Sequence, residues 1–379
     1  MNPPIYFDNA ATTPMRPEVV EAMVELMAHT HGNPSSIHAA GRAAKAVLEK
    51  SRRTVAQLMG CAPSEIFFTS GGTESDNTAL TGLIDQGRVQ HLVSSPIEHH
   101  AITHTLAYLA ERRHIPLTWV ALQADGHIDL NHLEGILATT TGALVSLMHG
   151  NNEIGNLIDL PRVGEMCHAS GALFHTDAVQ TVGYFPIHLQ EMSVDLLSAS
   201  AHKFNGPKGV GFLYIRAGLQ PEPFIHGGAQ ERQQRGGTEN LHSIVGMTRA
   251  LELACAQMAD KETHIRGLKT RLVQRLRERI PGVSFNGDVD GKSLYTVVNA
   301  SFPPHPNGEM LLFNLDIHGI CASGGSACSS GSQVGSHVLQ GIGADPARQH
   351  VRFSLGHQNT PEEVDYVVDT LVTLLSDPQ

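Results

Sequence analysis

The sequence predicts an α/β fold built on a mostly parallel sheet with helices on both faces. In the first two thirds of the chain, short strand-like runs alternate with helix-like segments, which is the pattern of a parallel sheet. In order, these elements are a helix over 41–58, a strand over 65–69, a helix from Thr73, a strand over 91–94, a helix from His99, strands near Trp119 and ending at His149, a helix from Leu160, and the strands A-L-F-H-T-D and D-L-L-S-A-S. Open parallel sheets bind ligands at the edge where their strands end.

A different pattern begins after Asn240. A long helical stretch runs to Ile280, where a Pro-Gly pair ends it. Two strand-like runs, a helix from Gly308, a Gly/Ser-rich loop, the strand V-R-F-S-L and a final helix follow. Thr360 and Glu363 predict the start of that last helix, since a hydroxyl cap, a proline and a glutamate are spaced as in a capping box. We therefore expect a second, smaller α+β domain in this part of the chain.

The composition limits the classes of function. The chain has 379 residues, of which 41% are hydrophobic, enough for a large core. Its formal net charge of −11 argues against nucleic-acid binding, because no basic stripe is present to neutralise phosphates. No apolar run approaches the roughly 18 residues of a membrane span, and the first residues do not resemble a signal peptide. We expect a cytoplasmic protein whose partners are small molecules or other proteins.

Five cysteines, an odd number without C-x-x-C or zinc-like spacing, argue against a disulfide framework and a zinc site. Cys167 and Cys255 lie in helix-like segments and Cys321 ends an apolar strand, so packing is the preferred interpretation of all three. Cys328 lies in A-S-G-G-S-A-C-S-S-G-S, a loop rich in glycine and serine. It is the cysteine predicted to be reactive, the alternative being an incidental thiol in a turn.

The stretch S-A-S-A-H-K, residues 198–203, ends a strand in hydroxyl, imidazole and lysine groups. Asp177 ends the preceding strand. An amine that forms a Schiff base and a carboxylate that keeps a pyridine nitrogen protonated are the groups a pyridoxal phosphate (PLP) enzyme most needs. Lys208, in a glycine-rich turn, is the competing lysine, and we prefer Lys203 because it adjoins Ser200 and His202. Taken alone, an aspartate in this position more commonly caps the next helix.

Three short segments could hold the rest of that cofactor. Gly72 and Thr73 stand in F-F-T-S-G-G-T-E-S, where backbone N–H groups and a hydroxyl at a helix start could bind a phosphate. A plain turn capped by Thr73 is the alternative. Ser200 and His202 could add further donors, and Gln180 could reach the ring hydroxyl. The convergence of the segments favours the phosphate site.

Other residues suit an amino-acid substrate. His99, in P-I-E-H-H-A, begins a helix and could stack on a ring or relay a proton, although a structural histidine is the alternative. Arg352 stands in an otherwise apolar strand, and its guanidinium suits bidentate binding of a carboxylate, unless it is a surface arginine. With Asn33 in H-G-N-P-S-S-I-H and Asn152 in M-H-G-N-N-E-I-G, it would define an α-amino-acid pocket.

Nine motifs in order resemble the cysteine desulfurases of the class V aminotransferase fold, from Tyr6 to about Leu371. They are D-N-A-A-T-T-P, G-N-P-S-S-I-H, F-T-S-G-G-T-E-S, E-H-H-A, N-N-E-I-G, H-T-D-A-V-Q, S-A-S-A-H-K, R-G-G-T-E-N and S-G-G-S-A-C-S-S-G-S. The resemblance implies the PLP-dependent transferase fold type I. Its large PLP-binding domain, with a mostly parallel seven-stranded sheet, would cover 13–257, and its small domain would combine 1–12 with 258–379.

The resemblance also implies a role for each candidate residue. Lys203 would be the Schiff-base lysine, with Asp177 on the pyridine nitrogen and His99 stacked on the ring. The residues implied to bind the cofactor are Gly72, Thr73, His99, Asn152, Asp177, Gln180, Ser200, His202 and Lys203, joined by Thr238, which would reach the phosphate of the neighbouring subunit in a homodimer. Arg352 would hold the substrate carboxylate, and Cys328 would be the nucleophile.

The expected reaction is the conversion of L-cysteine into L-alanine, leaving a persulfide on Cys328. The long S-A-C-S-S-G-S loop resembles that of desulfurases which pass sulfur to iron-sulfur scaffold or thiolation proteins. A selenocysteine lyase, an aminotransferase of the same fold and a sulfur-carrier docking subunit with little catalysis are the alternatives.

Overall fold

The computed structural model describes residues 4–306, 308–325 and 335–376. The strands are β1 (Ile5–Tyr6), β2 (Ile66–Thr69), β3 (His91–Ser94), β4 (Leu117–Trp119), β5 (Ala143–Ser146), β6 (Leu173–Asp177), β7 (Leu196–Ser200), β8 (Gly211–Ile215), β9 (Ser284–Asn286), β10 (Val297–Phe302), β11 (Ile320–Cys321) and β12 (Gln349–Ser354). The helices are α1 (Pro17–His29), α2 (Ala39–Leu58), α3 (Gly72–Asp85), α4 (His100–Arg113), α5 (Leu130–Thr139), α6 (Leu160–Ala169), α7 (Leu241–Ala256), α8 (Met258–Arg279), α9 (Leu311–Ile317), α10 (His337–Gly341) and α11 (Pro361–Ser376).

Seven strands form the large sheet, in the order β2-β8-β7-β6-β5-β3-β4. All neighbouring pairs are parallel except those of β8, which runs antiparallel to both β2 and β7. Every residue of β2, β5, β7 and β8 is buried, as expected for strands covered on both faces. The predicted α/β class with a mostly parallel seven-stranded sheet is confirmed.

Helices cover the two faces of this sheet with separate apolar clusters. Leu80 of α3 and Ile102 of α4 pack on one face. Val55 of α2, Val163 of α6 and Ile244 of α7 belong to the larger cluster on the other. The strands are thereby fixed from both sides, and their carboxyl ends remain as the accessible edge.

The C-terminal part contains an antiparallel sheet in the order β12-β10-β9, with α8 packed against α11. The N-terminal segment joins this part, because β1 pairs in parallel with β11 and Asp8 bridges to Ser354. The division into domains 13–257 and 1–12 plus 258–379, which the family resemblance implies, stays a prediction. Within the described ranges, no helix has the length and apolar character needed to span a membrane.

The structure refines several predicted elements. The predicted strand ending at His149 stops at Ser146, and the long stretch to Ile280 is divided at Gln257, whose φ of −110° and ψ of 13° interrupt the helix. The capping box of α11 is confirmed: the Thr360 N–H donates to Glu363 Oε2 at 3.1 Å, and the Glu363 N–H donates to Thr360 Oγ1 at 3.3 Å.

Candidate active site

A cavity of about 220 Å³ lies at the edge where the strands of the large sheet end. Its lining comes from the strand ends, the N-terminal segment and β12: Ala10, Ala11, Gly72, Thr73, Asp76, His99, Met148, Gly150, Asn152, Asp177, Val179, Gln180, Ser200, His202, Lys203 and Arg352. Most of the sequence-predicted site residues are in this lining. Asn33 and Thr238 are not, and Cys328 lies outside the described residues.

Lys203 ends a 3₁₀ turn that follows directly on β7. Its Nζ donates to the carbonyl oxygens of Ala10 at 2.5 Å and Ala11 at 2.9 Å. Gln180 Nε2 donates to the same Ala10 oxygen at 3.0 Å, so the side chain predicted to lie near a ring hydroxyl contacts the N-terminal segment here. The competing Lys208 is exposed and does not line the cavity. The lysine amine is therefore held at the cavity wall by backbone carbonyls more than 190 residues away in sequence.

Asp177 ends β6 and is buried. Its Oδ1 accepts a hydrogen bond from the Val179 N–H at 2.9 Å. Burial raises the pKa of this carboxyl to about 6, although the Val179 N–H and the nearby Lys203 amine act against the rise. A cationic group placed beside Asp177 would favour its ionised form, so the carboxyl suits a protonated ring nitrogen.

Two further carboxyls, Asp76 and Glu98, were not identified from the sequence. Asp76 lines the cavity at 1% exposure, and its Oδ1 has no hydrogen-bond partner among the described residues. Glu98 accepts the Met148 N–H with both oxygens, at 2.9 and 3.0 Å. Burial raises the pKa of both well above the usual value, and repulsion from Asp177 adds to this. Both acids are thus biased toward their protonated forms.

A buried hydrogen-bonded histidine lies beside Asp76. His175 Nδ1 is 2.9 Å from Ser146 Oγ, and its Nε2 is 3.0 Å from Ser198 Oγ and 3.6 Å from Asp76 Oδ1. Burial lowers the pKa of His175 to about 3, so the ring is neutral at pH 7. The sequence did contain a signal for Asp76: it falls on the same helix face as the buried Ala79, Leu80 and Leu83, at i+3, i+4 and i+7.

The start of α3 and the end of β7 form one side of the cavity. Gly71, the residue before α3, has a φ of 145°, a conformation that favours glycine. A Cβ on Gly71 would lie 3.4 Å from Ser200 Oγ, so the serine hydroxyl adjoins the first turn of α3, where Gly72 and Thr73 stand. N–H groups of a first helical turn together with hydroxyls are suited to bind an anion.

His202 lies at the same end of the cavity. Its Nδ1 is 3.1 Å from Thr12 Oγ1. Burial, reinforced by the positive charge of Lys203, lowers the pKa of His202 to about 4. The ring is therefore neutral at pH 7 and offers a hydrogen bond rather than a charge.

His99 is the N-cap residue of α4, and its Nδ1 accepts the Ala101 N–H at 3.1 Å. A neutral ring that accepts at Nδ1 carries its proton on Nε2. Burial and then the positive charge of Lys203 lower the pKa of His99 to about 4. The residue therefore presents a neutral imidazole to the cavity.

Arg352 lies in β12 at 1% exposure. Its Nη1 donates to the Asn152 carbonyl at 3.0 Å and its Nη2 to Asp8 Oδ1 at 2.8 Å. Its Nε is buried and has no partner among the described residues. The guanidinium is therefore held in place by two groups and retains a donor for a bound anion. Asp8 was not identified from the sequence.

Two predicted site residues, Asn33 and Thr238, stand apart from this cavity. Asn33 is exposed, and its side chain accepts the Ser35 N–H at 2.9 Å. Thr238 is exposed in a separate depression that Glu231 and Gly237 also line. Cys328 lies outside the described residues. The roles of all three stay predictions.

The protein-family model described as aminotransferase class-V matches residues 5–367. The chain belongs to the class V aminotransferase family. Among the relatives of this class V protein is the cysteine desulfurase IscS of Clostridium botulinum, 41% identical over 99% of this chain and 95% of the relative. The cysteine desulfurase IscS of Methanosarcina thermophila is 42% identical over 98% of this chain and 91% of its own length.

Solved structures give the same result for this class V protein. A NifS-like protein is 37% identical with a TM-score of 0.91, and the match covers 98% of this chain and 99% of the other. A structure of SspA in complex with cysteine is 32% identical with a TM-score of 0.81, covering 94% and 100%. The sequence-based assignment to the cysteine desulfurase enzymes of the class V fold is confirmed.

Proposed function

We propose that this chain uses PLP to convert L-cysteine into L-alanine and takes up the sulfur as a persulfide on Cys328. The observation that carries the proposal is that the Lys203 amine, the buried Asp177 carboxyl and the Arg352 guanidinium line one and the same cavity. An amine, an acid and a carboxylate-binding cation are the minimum set for PLP chemistry on an amino acid.

The residues present fit the cofactor. Lys203 would bind it through its amine, Asp177 would pair with the ring nitrogen, and His99 would lie on the ring. The first turn of α3 with Ser200 and His202 would bind the phosphate, because that side of the cavity offers N–H and hydroxyl donors. When bound, PLP stabilises negative charge on the carbon that carries the amino group.

The chain's own groups then orient the substrate and move its protons. Arg352 would bind the α-carboxylate through the Nε donor that it retains, which fixes the direction of the side-chain sulfur. The Lys203 amine, which the carbonyls of Ala10 and Ala11 hold at the cavity wall, would take the proton from the α-carbon of the substrate. Asp177 stays ionised opposite the protonated ring nitrogen.

The sulfur step needs no external oxidant. The Cys328 thiolate would attack the substrate sulfur, the carbon–sulfur bond would break, and its electron pair would remain with the β-carbon, which takes up a proton. The products are L-alanine and a persulfide on Cys328. Only a few per cent of an unperturbed thiol is ionised at pH 7. The substrate amine would accept the thiol proton, because His99 Nδ1 already accepts the Ala101 N–H and Nε2 of the neutral ring carries its own proton.

The proposal also includes a homodimer, a protein that accepts the sulfur, and a division of the chain into two domains. A homodimer would bring Thr238 to the phosphate of the neighbouring subunit, which is consistent with its exposed position outside the chain's own cavity. The persulfide would pass to an iron-sulfur scaffold or thiolation protein in the cytoplasm. The large domain over 13–257 would bind the cofactor, and 1–12 with 258–379 would form the small domain that carries Cys328.

The test uses the PLP-loaded protein and its Cys328→Ala variant. Both are mixed with L-cysteine; the cofactor absorbance, the alanine formed and the mass of the Cys328 peptide are then measured. We expect the variant to keep the absorbance and its response to cysteine but to lose sulfide release. Undiminished cysteine turnover by Cys328→Ala would refute the nucleophile. A keto acid in place of alanine would indicate an aminotransferase, and a requirement for selenocysteine would indicate a lyase.

A further inference from the structure

A carboxylate lies directly behind the arginine of the cavity. Asp8 Oδ1 accepts a hydrogen bond from Arg352 Nη2 at 2.8 Å, and Asp8 itself does not line the cavity. The guanidinium therefore stands between this carboxylate and the space where a substrate would bind. In the part of the chain that the structure describes, Asp8 is the one acidic side chain that forms an ion pair with Arg352.

Asp8 is held in this position by further contacts. Its Oδ1 also accepts from Ser323 Oγ at 2.9 Å. Its backbone bridges to Ser354, which lies two residues after Arg352 in β12, and the Ser354 N–H donates to the Phe7 carbonyl at 2.7 Å. The carboxylate therefore cannot turn away from the guanidinium without breaking these bonds.

The same N-terminal segment faces both the lysine and the arginine of the cavity. The Lys203 amine is held by the carbonyls of Ala10 and Ala11, which are neutral and leave its charge in place. Arg352, whose side chain is 1% exposed, meets a full negative charge instead. Because a charge-assisted hydrogen bond is strong where water is excluded, the arginine charge is largely offset before a ligand arrives.

We propose that Asp8 is a specificity-determining residue that offsets the charge of Arg352 and so limits the affinity of the cavity for carboxylates, the amino-acid product included. The inference rests on the proposed function, in which Arg352 binds the α-carboxylate. That group is the same in L-cysteine and L-alanine and takes no part in breaking the carbon–sulfur bond. Its binding is therefore uniform along the reaction and does not accelerate it, whereas an arginine without Asp8 would retain the product.

The size of the effect follows from the geometry of one guanidinium. Asp8 Oδ1 is 2.8 Å from Nη2. An anion bound at Nε would lie ~2.9 Å from that nitrogen, and the two nitrogens are ~2.3 Å apart, so the two carboxylates face each other across ~8 Å or less. With an effective dielectric constant of ~20, repulsion at that distance corresponds to ~30-fold in affinity. The Asp8 side chain is 18% exposed, and solvent screening reduces the expected effect to about 10- to 30-fold.

The experiment replaces Asp8 by asparagine in the PLP-loaded protein. Asparagine keeps an oxygen that can accept from Arg352 and Ser323 but removes the negative charge. The ligands are L-alanine and ethylamine, which is alanine without its carboxylate, and their affinities are measured by the change in cofactor absorbance. We expect Asp8→Asn to bind L-alanine about 10- to 30-fold more tightly and ethylamine with unchanged affinity. The rise in melting temperature caused by L-alanine should be larger in the variant as well.

Two further variants complete the comparison. Asp8→Ser is also uncharged and should show a gain in the same direction, so it replaces Asp8→Asn if that variant does not fold or load PLP. Asp365→Asn removes a carboxylate that pairs with Arg271 at the surface, away from the cavity. It is the control for the net charge of the whole protein and should leave both affinities unchanged.

The possible results separate the inference from the proposed function. Equal or weaker binding of L-alanine by Asp8→Asn and Asp8→Ser would overturn the inference and leave the proposed function intact, because Asp8 would then only hold Arg352 in place. An equal gain for ethylamine would also overturn it, since the effect would not act on the carboxylate. If the unchanged protein responds to neither L-alanine nor L-cysteine, the proposed function fails, and the inference fails with it.

Discussion

Replacement of Arg352 by lysine tests how the cavity recognises its substrate. The guanidinium already gives Nη1 to the Asn152 carbonyl and Nη2 to Asp8, and it retains Nε for a ligand. A lysine ammonium is a single point of charge that cannot serve all three directions. The variant therefore loses at least one charge-assisted hydrogen bond to the substrate carboxylate, at ~1.5–3 kcal/mol each. L-cysteine should bind about 10- to 150-fold more weakly.

The assay is a titration of cofactor absorbance with two ligands. Cysteamine has the amine and thiol of cysteine but no carboxylate, so its affinity should be the same for Arg352→Lys and for the unchanged protein. Arg348→Lys is the matched control, because Arg348 precedes the same strand but binds Ser301 and the carbonyl of Gly282 outside the cavity. If Arg352→Lys weakens both ligands equally, or neither, Arg352 does not bind the carboxylate.

Three further predictions concern stability. Glu231→Gln should lower the free energy of unfolding in urea by ~3–5 kcal/mol, because it removes the buried carboxylate that Arg52 contacts at 2.7 Å and leaves only the more exposed Glu49 as its ion-pair partner. The double variant with Arg52→Met should recover part of the loss. Gly211→Ala should lower the melting temperature, since its Cβ would lie in contact with the Ala199 carbonyl, whereas Gly135→Ala in α5 meets open space and should gain ~0.5–1 kcal/mol. The free energy of unfolding should also fall as the pH drops from about 6.5 to about 4. In this range histidines of the unfolded chain take up protons, whereas four buried imidazoles of the folded protein, each with a pKa of about 4, do not. These imidazoles belong to His99, His149, His202 and His357.

Each of these predictions has a clear contrary result. A cost below about 1 kcal/mol for Glu231→Gln would mean that Glu49 is enough to compensate the Arg52 charge. Equal melting temperatures for the two alanine variants would contradict the close approach at Gly211. The Asp177 carboxyl has the opposite effect on stability between pH 3.8 and about 6. Its pKa is raised in the folded protein, so in this range the folded state binds a proton that the unfolded chain does not, and stability rises as the pH falls. A constant stability from pH 6.5 to 4.5 would show that the imidazoles do not dominate.

Much of the cavity could be predicted from local patterns. Asp177 and Lys203 follow apolar runs with clear ends, and parallel strands bring such ends to one edge whatever the loop lengths. Gly72 and Thr73 could be predicted because they stand where the sequence pattern changes from strand to helix. These signals lie within a few residues of each group, so one sequence is enough to find them.

The remaining groups depend on contacts that no local pattern contains. Asp8 matters because it pairs with Arg352, which is 344 residues away in sequence. Glu98 is held by Met148, 50 residues further on, whose N–H donates to both of its carboxylate oxygens. Whether a carboxyl is buried depends on which elements pack over it, and only Asp76, on an apolar helix face, had a periodic signal. The division of the long helix at Gln257 had no such signal.

The N-terminal segment has a consequence for how the enzyme is made. The carbonyls of Ala10 and Ala11 that hold Lys203 are synthesised about 300 residues before β11, the strand that pairs with this N-terminal segment. At ~5–20 residues per second, that interval lasts about 15–60 s. The large sheet can pair in the meantime. The site around Lys203 is therefore completed only after β11 has been synthesised and has paired with β1.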